Sequence, residues 1–162
     1  MWKSLLTGAA ASLLLLGAGC ASPGGPGLGG GLVWDAGLAT AFDAMDKPVR
    51  VLRNHLYDME RQDGPPNIYL LTRWHQRRPL ADEAALGAEL AHTRFIVEGR
   101  PRQRNPETGD DLYTVRVRVE NQLQMQGETD WVRVEPTADF RAYAAHIADL
   151  IREELEMGVR IR

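Results

Sequence analysis

The chain has 162 residues, a formal net charge of −3 and 25% charged residues, enough for one domain with a single core. This slightly acidic balance excludes the basic profile of a nucleic-acid-binding protein, and we predict no nucleic-acid partner. Serine occurs only at Ser4, Ser12 and Ser22, and cysteine only at Cys20. Because these positions precede the predicted folded part, that part has no serine or cysteine nucleophile. We predict a protein that is not an enzyme and needs no cofactor.

The N-terminus predicts a secretory signal peptide that ends at a lipidation site. Lys3 supplies a positive charge, an apolar run extends from Leu5 to Leu16, and small residues lead to Cys20. The run is about a dozen residues long, whereas a membrane-spanning helix needs roughly 20. The pattern resembles the signals of bacterial lipoproteins, in which the cysteine thiol receives a diacylglycerol and becomes the mature N-terminus. Ordinary secretory cleavage and an uncleaved anchor are the alternatives.

The resemblance also implies a location. Ala21 follows the cysteine where an aspartate would favour the inner membrane, so we expect an outer-membrane anchor with the protein facing the periplasm. Several acyl chains hold a protein stably where one does not. We divide the chain into a signal peptide (1–19), a lipidated Gly/Pro-rich tether (20–33) and a single periplasmic domain (34–162).

A stripe of apolar residues predicts helices at the start of the domain. The stripe runs from Leu38 to Met59 in steps of three and four residues. Pro48 divides it, since proline disrupts a helix interior but fits a first turn. We predict helices over 35–45 and 48–62, with Asp46 as the cap between them. One kinked, continuous helix is the alternative, and the stripe is too short to favour a coiled coil.

The next segment predicts a strand and then a short helix. The strand covers Asn67 to His75, and Ile68, Leu70 and Trp74 are expected on its apolar face. The helix covers Ala81 to Leu90.

Two long strands are the clearest elements of the sequence. Apolar and polar residues alternate from His92 to Arg102 and again from Tyr113 to Gln126. The turn formers at 105–111 between them predict an antiparallel hairpin with one solvent-facing side.

The remaining elements complete the prediction of a fold with two layers, a sheet and helices. A short strand is expected from Trp131 to Glu135, followed by a helix that Thr137 caps and Gly158 ends. We predict an α+β fold, with an antiparallel sheet of about four strands covered on one face by the N- and C-terminal helices.

Residues suited to metal binding are scattered. None of the four histidines forms a metal-binding pair at helical spacing, and no cysteine is available to join them. We therefore predict no metal site, with His55, His75, His92 and His146 as ordinary surface or core residues.

The polar side of the predicted hairpin is the strongest binding candidate. If the strands pair, one side carries six arginines, namely Arg94, Arg100, Arg102, Arg116, Arg118 and Arg133. Guanidinium groups suit phosphate and carboxylate, so this side predicts an anionic lipid or glycan ligand. Glu98 and Glu120 share the side, and Arg–Glu pairs on a merely solvated surface are the alternative.

Parts of the sequence resemble known envelope lipoproteins. The segments 84–90, 95–99, 113–121 and 127–131 resemble the periplasmic lipoproteins that activate penicillin-binding proteins, and their relatives in curli export and flagellar function. The last helix behind a sheet is similar in outline to lipopolysaccharide-assembly lipoproteins. Both resemblances imply a fold only. We predict a non-enzymatic, outer-membrane-anchored accessory that binds an envelope protein, with the anionic-ligand module as the alternative.

Overall fold

The computed structural model of the protein describes residues 31–105 and 109–160. The predicted signal peptide, Cys20 and most of the tether lie outside these ranges. The elements in chain order are β1 (Leu32–Thr40), α1 (Ala41–Asn54), β2 (Met59–Asp63), β3 (Ile68–Thr72), β4 (His75–Arg77), α2 (Ala81–Ala85), β5 (Ala88–Arg104), β6 (Asp111–Met125), β7 (Trp131–Val132) and α3 (Ala138–Arg160). No helix in the described ranges has the length and apolar character needed to cross a membrane.

The strands form one antiparallel sheet in the order β1-β6-β5-β3-β2. β4 pairs with β5 beyond the end of β3, and β7 pairs with β6 beyond the end of β1. The predicted α+β class and antiparallel sheet are confirmed. The predicted number of about four strands is wrong, because the described sheet has seven.

One face of the sheet, here called the inner face, packs against α1 and α3. Leu52 of α1 and Ile147 of α3 share a core cluster with Phe95 of β5 and Val117 of β6. Each is at most 1% exposed, and burying one such side chain contributes about 1.5–3 kcal/mol. The strict alternation predicted for β6 therefore reflects burial of every second residue against the helices.

The first predicted helix, 35–45, is wrong at its beginning. Leu32–Thr40 is a strand hydrogen-bonded to β6, and the helix begins at Ala41, where the Thr40 hydroxyl accepts the Asp43 N–H at 3.2 Å. The edge of β6 needs a partner, and this long-range pairing overrides the local helical spacing. Leu32 and Val33, which the prediction assigned to the tether, belong to β1.

The division of the first helices at Pro48 is also wrong. α1 continues through Pro48 as one helix to Asn54, the continuous arrangement considered as the alternative, and Asp46 is an exposed residue within it. Pro48 lacks the N–H that would bond to the fourth residue before it, but its ring is buried in the core. The second predicted helix stops early because Leu56 has a φ of 65° and 59–63 pairs with β3 as β2.

The predicted strand 67–75 is divided into β3 and β4. Trp74 lies between them and contacts residues on the face opposite Ile68 and Leu70, contrary to the prediction. The predicted helix 81–90 ends at Ala85, because Gly87 has a φ of 90° and β5 begins directly afterwards.

The C-terminal elements differ in length from the prediction. β7 covers two residues, not five, and α3 continues through Gly158 to Arg160, since a glycine ends a helix only where the chain turns away. The predicted cap is confirmed: the Thr137 hydroxyl accepts the Phe140 N–H at 3.3 Å.

Candidate binding face of the sheet

The face opposite α1 and α3, here called the outer face, has no second layer among the described elements. It consists of alternate residues of the two long strands, with Asp35 of β1 beside them. Its members on β5 and β6 are His92, Arg94, Ile96, Glu98, Arg100, Thr114, Arg116, Arg118, Glu120, Gln122 and Gln124. The buried apolar residues of α1 and α3 pack into the core on the inner side, and the polar side chains of this face lie on the opposite side of the sheet.

The strand register brings the predicted arginines onto this face. Arg94 lies opposite Glu120, Arg100 opposite Thr114, and Arg116 opposite Glu98. Arg118 is two residues along β6 from Arg116, and Arg133 follows β7. Since opposite residues have Cβ atoms about 5 Å apart, ion pairs would form readily across the strands. The six arginines fall into two groups, those that form such ion pairs and those that do not.

In the first group, the arginines bind carboxylates of the same face. Arg94 contacts Glu120 at 2.7 Å, and its guanidinium lies 4.4 Å from the centre of the Trp74 ring. Arg133 approaches the same Glu120 at 3.8 Å. Arg118 lies 3.5 Å from Glu98. These three arginines therefore have partners within the outer face.

The second group consists of Arg100, Arg102 and Arg116, here called the arginine trio. The trio lines a depression of about 280 Å³ together with Asp35, Glu98, Pro101 and Thr114. Within residues 31–105 and 109–160, no carboxylate lies within 4.0 Å of a guanidinium nitrogen of the trio. The trio is therefore a local excess of hydrogen-bond donors and positive charge.

A β-bulge lies at Arg102 of the trio. Pro101 pairs with Tyr113 and Gln103 pairs with Leu112, so Arg102 is the extra residue between them. Such a bulge changes the direction of the strand's side chains. Arg102 nevertheless lines the same depression as Arg100, on the side that alternation predicts. Pro101 was the signal for the bulge, because proline within a sheet is confined to edges and bulges.

A stack of aromatic rings on the outer face was missed by the sequence reasoning. The rings of His92 and Trp131 lie 3.5 Å apart at 10°, and the ring of Trp74 lies 6.2 Å from His92 on β5. Partial burial, and to a lesser degree the charge of His75, lower the pKa of His92 below its ordinary value. A neutral imidazole at neutral pH suits this stacked position.

The histidines do not converge. His75 packs its ring 5.0 Å from Tyr57 on the inner side, whereas His92 lies on the outer face. His55 and His146 meet edge-to-face at 6.3 Å. In the described part of the chain, no group of three or more His, Cys, Asp or Glu side chains could hold a metal ion.

The inner side contains a buried polar cluster that sequence reasoning also missed. Arg77 of β4 binds both carboxylate oxygens of Glu83 at 2.7 Å, and Glu83 is fully buried. Asn121 donates to Glu83 at 2.8 Å, and Thr93 donates to Asn121 at 3.1 Å. The N–H of Leu80 donates to the second oxygen of Glu83 at 2.8 Å.

The electrostatics of this cluster suit a structural role. Burial alone would raise the pKa of Glu83, but hydrogen bonds and charge from Arg77, with hydrogen bonds from Leu80 and Asn121, lower it below the usual value. The guanidinium of Arg77 also lies about 5.4 Å from the Phe140 ring and 5.5 Å from the Tyr143 ring. With its charge compensated, this largely buried cluster ties β4, α2 and α3 to the sheet.

Comparison with known proteins does not assign a family. No protein-family model matches the chain, and no curated protein matches it either. Function is therefore inferred from the chemistry of the outer face.

Proposed function

We propose that this protein is a lipid-anchored, non-enzymatic accessory of the bacterial cell envelope. Its outer face is the surface through which it holds an envelope component, and that component carries negative charge. The anchor is the acylated Cys20, and the Gly/Pro-rich tether links it to the domain.

The arginine trio is the observation that carries the proposal. Arg94 pairs with Glu120, the acidic residue that lies opposite it across the strand. Arg116 has Asp35 and Glu98 as its strand neighbours and makes no ion pair with either. A bound anion would satisfy these donors with charge-assisted hydrogen bonds. This favours the anionic partner over an uncharged protein surface.

The distribution of charge supports the same conclusion. The outer face carries six arginines and only three carboxylates, those of Asp35, Glu98 and Glu120, so it has an excess of positive charge. The whole chain, in contrast, has a net charge of −3. Lipid head groups, lipopolysaccharide phosphates and peptidoglycan carboxylates all offer the complementary charge. Electrostatic complementarity of this kind also raises the rate of encounter.

The anchoring and binding parts are tested separately. Mass spectrometry of the mature protein should find Cys20 acylated at the N-terminus; an unmodified N-terminus at Ala21 or Ser22 would contradict the anchor. For binding, the acylated protein in zwitterionic nanodiscs is titrated with polyphosphate. Arg116→Ser/Arg118→Ser should weaken capture at least about tenfold, equivalent to about 1.4 kcal/mol.

A matched control separates the outer face from total charge. Arg53→Ser/Arg152→Ser removes the same charge from exposed positions on α1 and α3. This variant should retain polyphosphate binding within about twofold, since its sites lie on the helical side. Equal losses in both double variants would show that net charge, not the outer face, determines capture.

A further inference from the structure

We propose that the depression around the arginine trio is a binding site for a single sugar that carries a phosphate group. The inference rests on the proposed function, because it names the chemistry that the outer face recognises. Three features of the depression support it: its shape, its donors and its acceptors.

The shape favours a discrete ligand. The depression has a volume of about 280 Å³, close to the lower limit for small-molecule sites. A bilayer presents charge as a plane and would leave this concavity unfilled. Its walls come from β1, β5 and β6, so the site is built on paired strands that hold side chains more accurately than loops do.

The donors favour phosphate. Arg100, Arg102 and Arg116 each offer a fork of N–H groups and have no carboxylate partner in the described part of the chain. A phosphate monoester presents three non-bridging oxygens and up to two negative charges, which three forks can share. A carboxylate presents two oxygens and one charge, and would leave part of the trio without a partner.

The acceptors favour a sugar over bare phosphate. Asp35 and Glu98 flank Arg116 on the two neighbouring strands and line the same depression as Thr114. Asp35 accepts one bond from the Gly37 N–H at 2.9 Å, which leaves most of its acceptor capacity unused. These carboxylates repel a naked anion but accept hydrogen bonds from hydroxyl groups. A ligand with a phosphate and adjacent hydroxyls satisfies both sets.

Calorimetry on the acylated mature protein in neutral detergent tests the assignment. The probes are glucose 6-phosphate, inorganic phosphate, glucose and glucuronate. Glucose 6-phosphate should bind at least about tenfold more tightly than each of the other three. Arg100→Ser/Arg116→Ser should abolish this binding, and Arg53→Ser/Arg152→Ser should leave it unchanged, with circular dichroism confirming that both variants fold.

The acceptors are tested by Asp35→Asn/Glu98→Gln, which keeps the side-chain size and removes the negative charge. This variant should bind inorganic phosphate more tightly than the wild type and should lose its preference for glucose 6-phosphate. If the wild type binds glucose 6-phosphate and inorganic phosphate with equal affinity, the site does not recognise a sugar. If it binds glucuronate more tightly than glucose 6-phosphate, the site does not prefer phosphate.

Failure of this inference differs from failure of the proposed function. If no sugar phosphate binds while polyphosphate capture still depends on Arg116, the site assignment is overturned and the anionic partner stands. If neither probe binds, both are overturned.

Discussion

Arg77→Leu removes the guanidinium that neutralises the buried carboxylate of Glu83. Two hydrogen bonds of 2.7 Å disappear from Glu83, and only the bonds from Leu80 and Asn121 remain. A bond to a charged group contributes about 1.5–3 kcal/mol, and breaking a buried ion pair costs about 3–5 kcal/mol. We expect Arg77→Leu to lower the free energy of unfolding by about 4 kcal/mol.

The pH dependence of this loss follows from the pKa of Glu83. In the wild type the folded-state pKa is depressed, so the stabilisation is present above the unfolded value, about 4.3, and is lost as pH falls through the folded value. Without Arg77, burial raises the pKa, and the carboxyl group is most easily accommodated when protonated. The difference between variant and wild type should therefore be largest near pH 7 and should narrow as pH falls towards 4.

Urea unfolding followed by circular dichroism at pH 7.5 and 4.5 measures both effects. Arg94→Leu is the matched control, because its partner Glu120 is partly exposed and can be hydrated; we expect a loss of about 1 kcal/mol. Adding Glu83→Gln to Arg77→Leu should restore part of the stability. A loss below about 1 kcal/mol for Arg77→Leu, or one independent of pH, would refute the role of the buried pair.

Other contacts allow three further tests. Phe95→Ala, at a side chain with no exposure, should cost about 3–5 kcal/mol in urea unfolding; a loss below 1 kcal/mol would contradict the core assignment. Burial, reinforced by Tyr143, raises the pKa of Tyr57, so its ultraviolet titration should show no ionisation at pH 11 until the protein unfolds. The pKa of His92 is lowered by burial and by His75, so NMR should show it titrating below 6.5 and stability should fall as pH decreases through that range. Replacing His92 with Phe should flatten this decline, and an unchanged slope would exclude His92 as its source.

The parts of the fold that the sequence predicted are those with a long, regular local pattern. β6 alternates over its whole length because one side faces the core and the other faces solvent. The hairpin with β5 follows from this alternation and from the turn formers between the strands. α3 was predicted together with its Thr137 cap, which the structure confirms.

The missed parts depend on pairing with other strands. β1 forms because Leu32 pairs with Val119, 87 residues away, and nothing in its own spacing indicates this partner. The short strand β2 forms by pairing with β3, the next strand along the chain. Leu38 of β1 and Met59 of β2 continue the apolar stripe of α1 at helical spacing, so local reasoning selects the wrong structure.

The sequence predicts which arginines lie on the candidate site, but not which of them form ion pairs with carboxylates. Alternation placed Arg94 and Arg116 on the polar side of the hairpin, and the register confirms this. Which arginine meets a carboxylate depends on side-chain positions that the sequence does not determine. Alternation also placed Arg102 on this side, whereas the bulge at this residue was indicated only by Pro101.

The most direct test of the central claim follows the arginine side chains while an anion binds. Nε–Hε NMR signals of the full chain in nanodiscs are recorded as glucose 6-phosphate and, separately, polyphosphate are added. The signals of Arg100, Arg102 and Arg116 should shift with both ligands, and those of Arg53 and Arg152 should not. Shifts confined to the helical arginines, or no shift with either ligand, would contradict a binding role for the outer face.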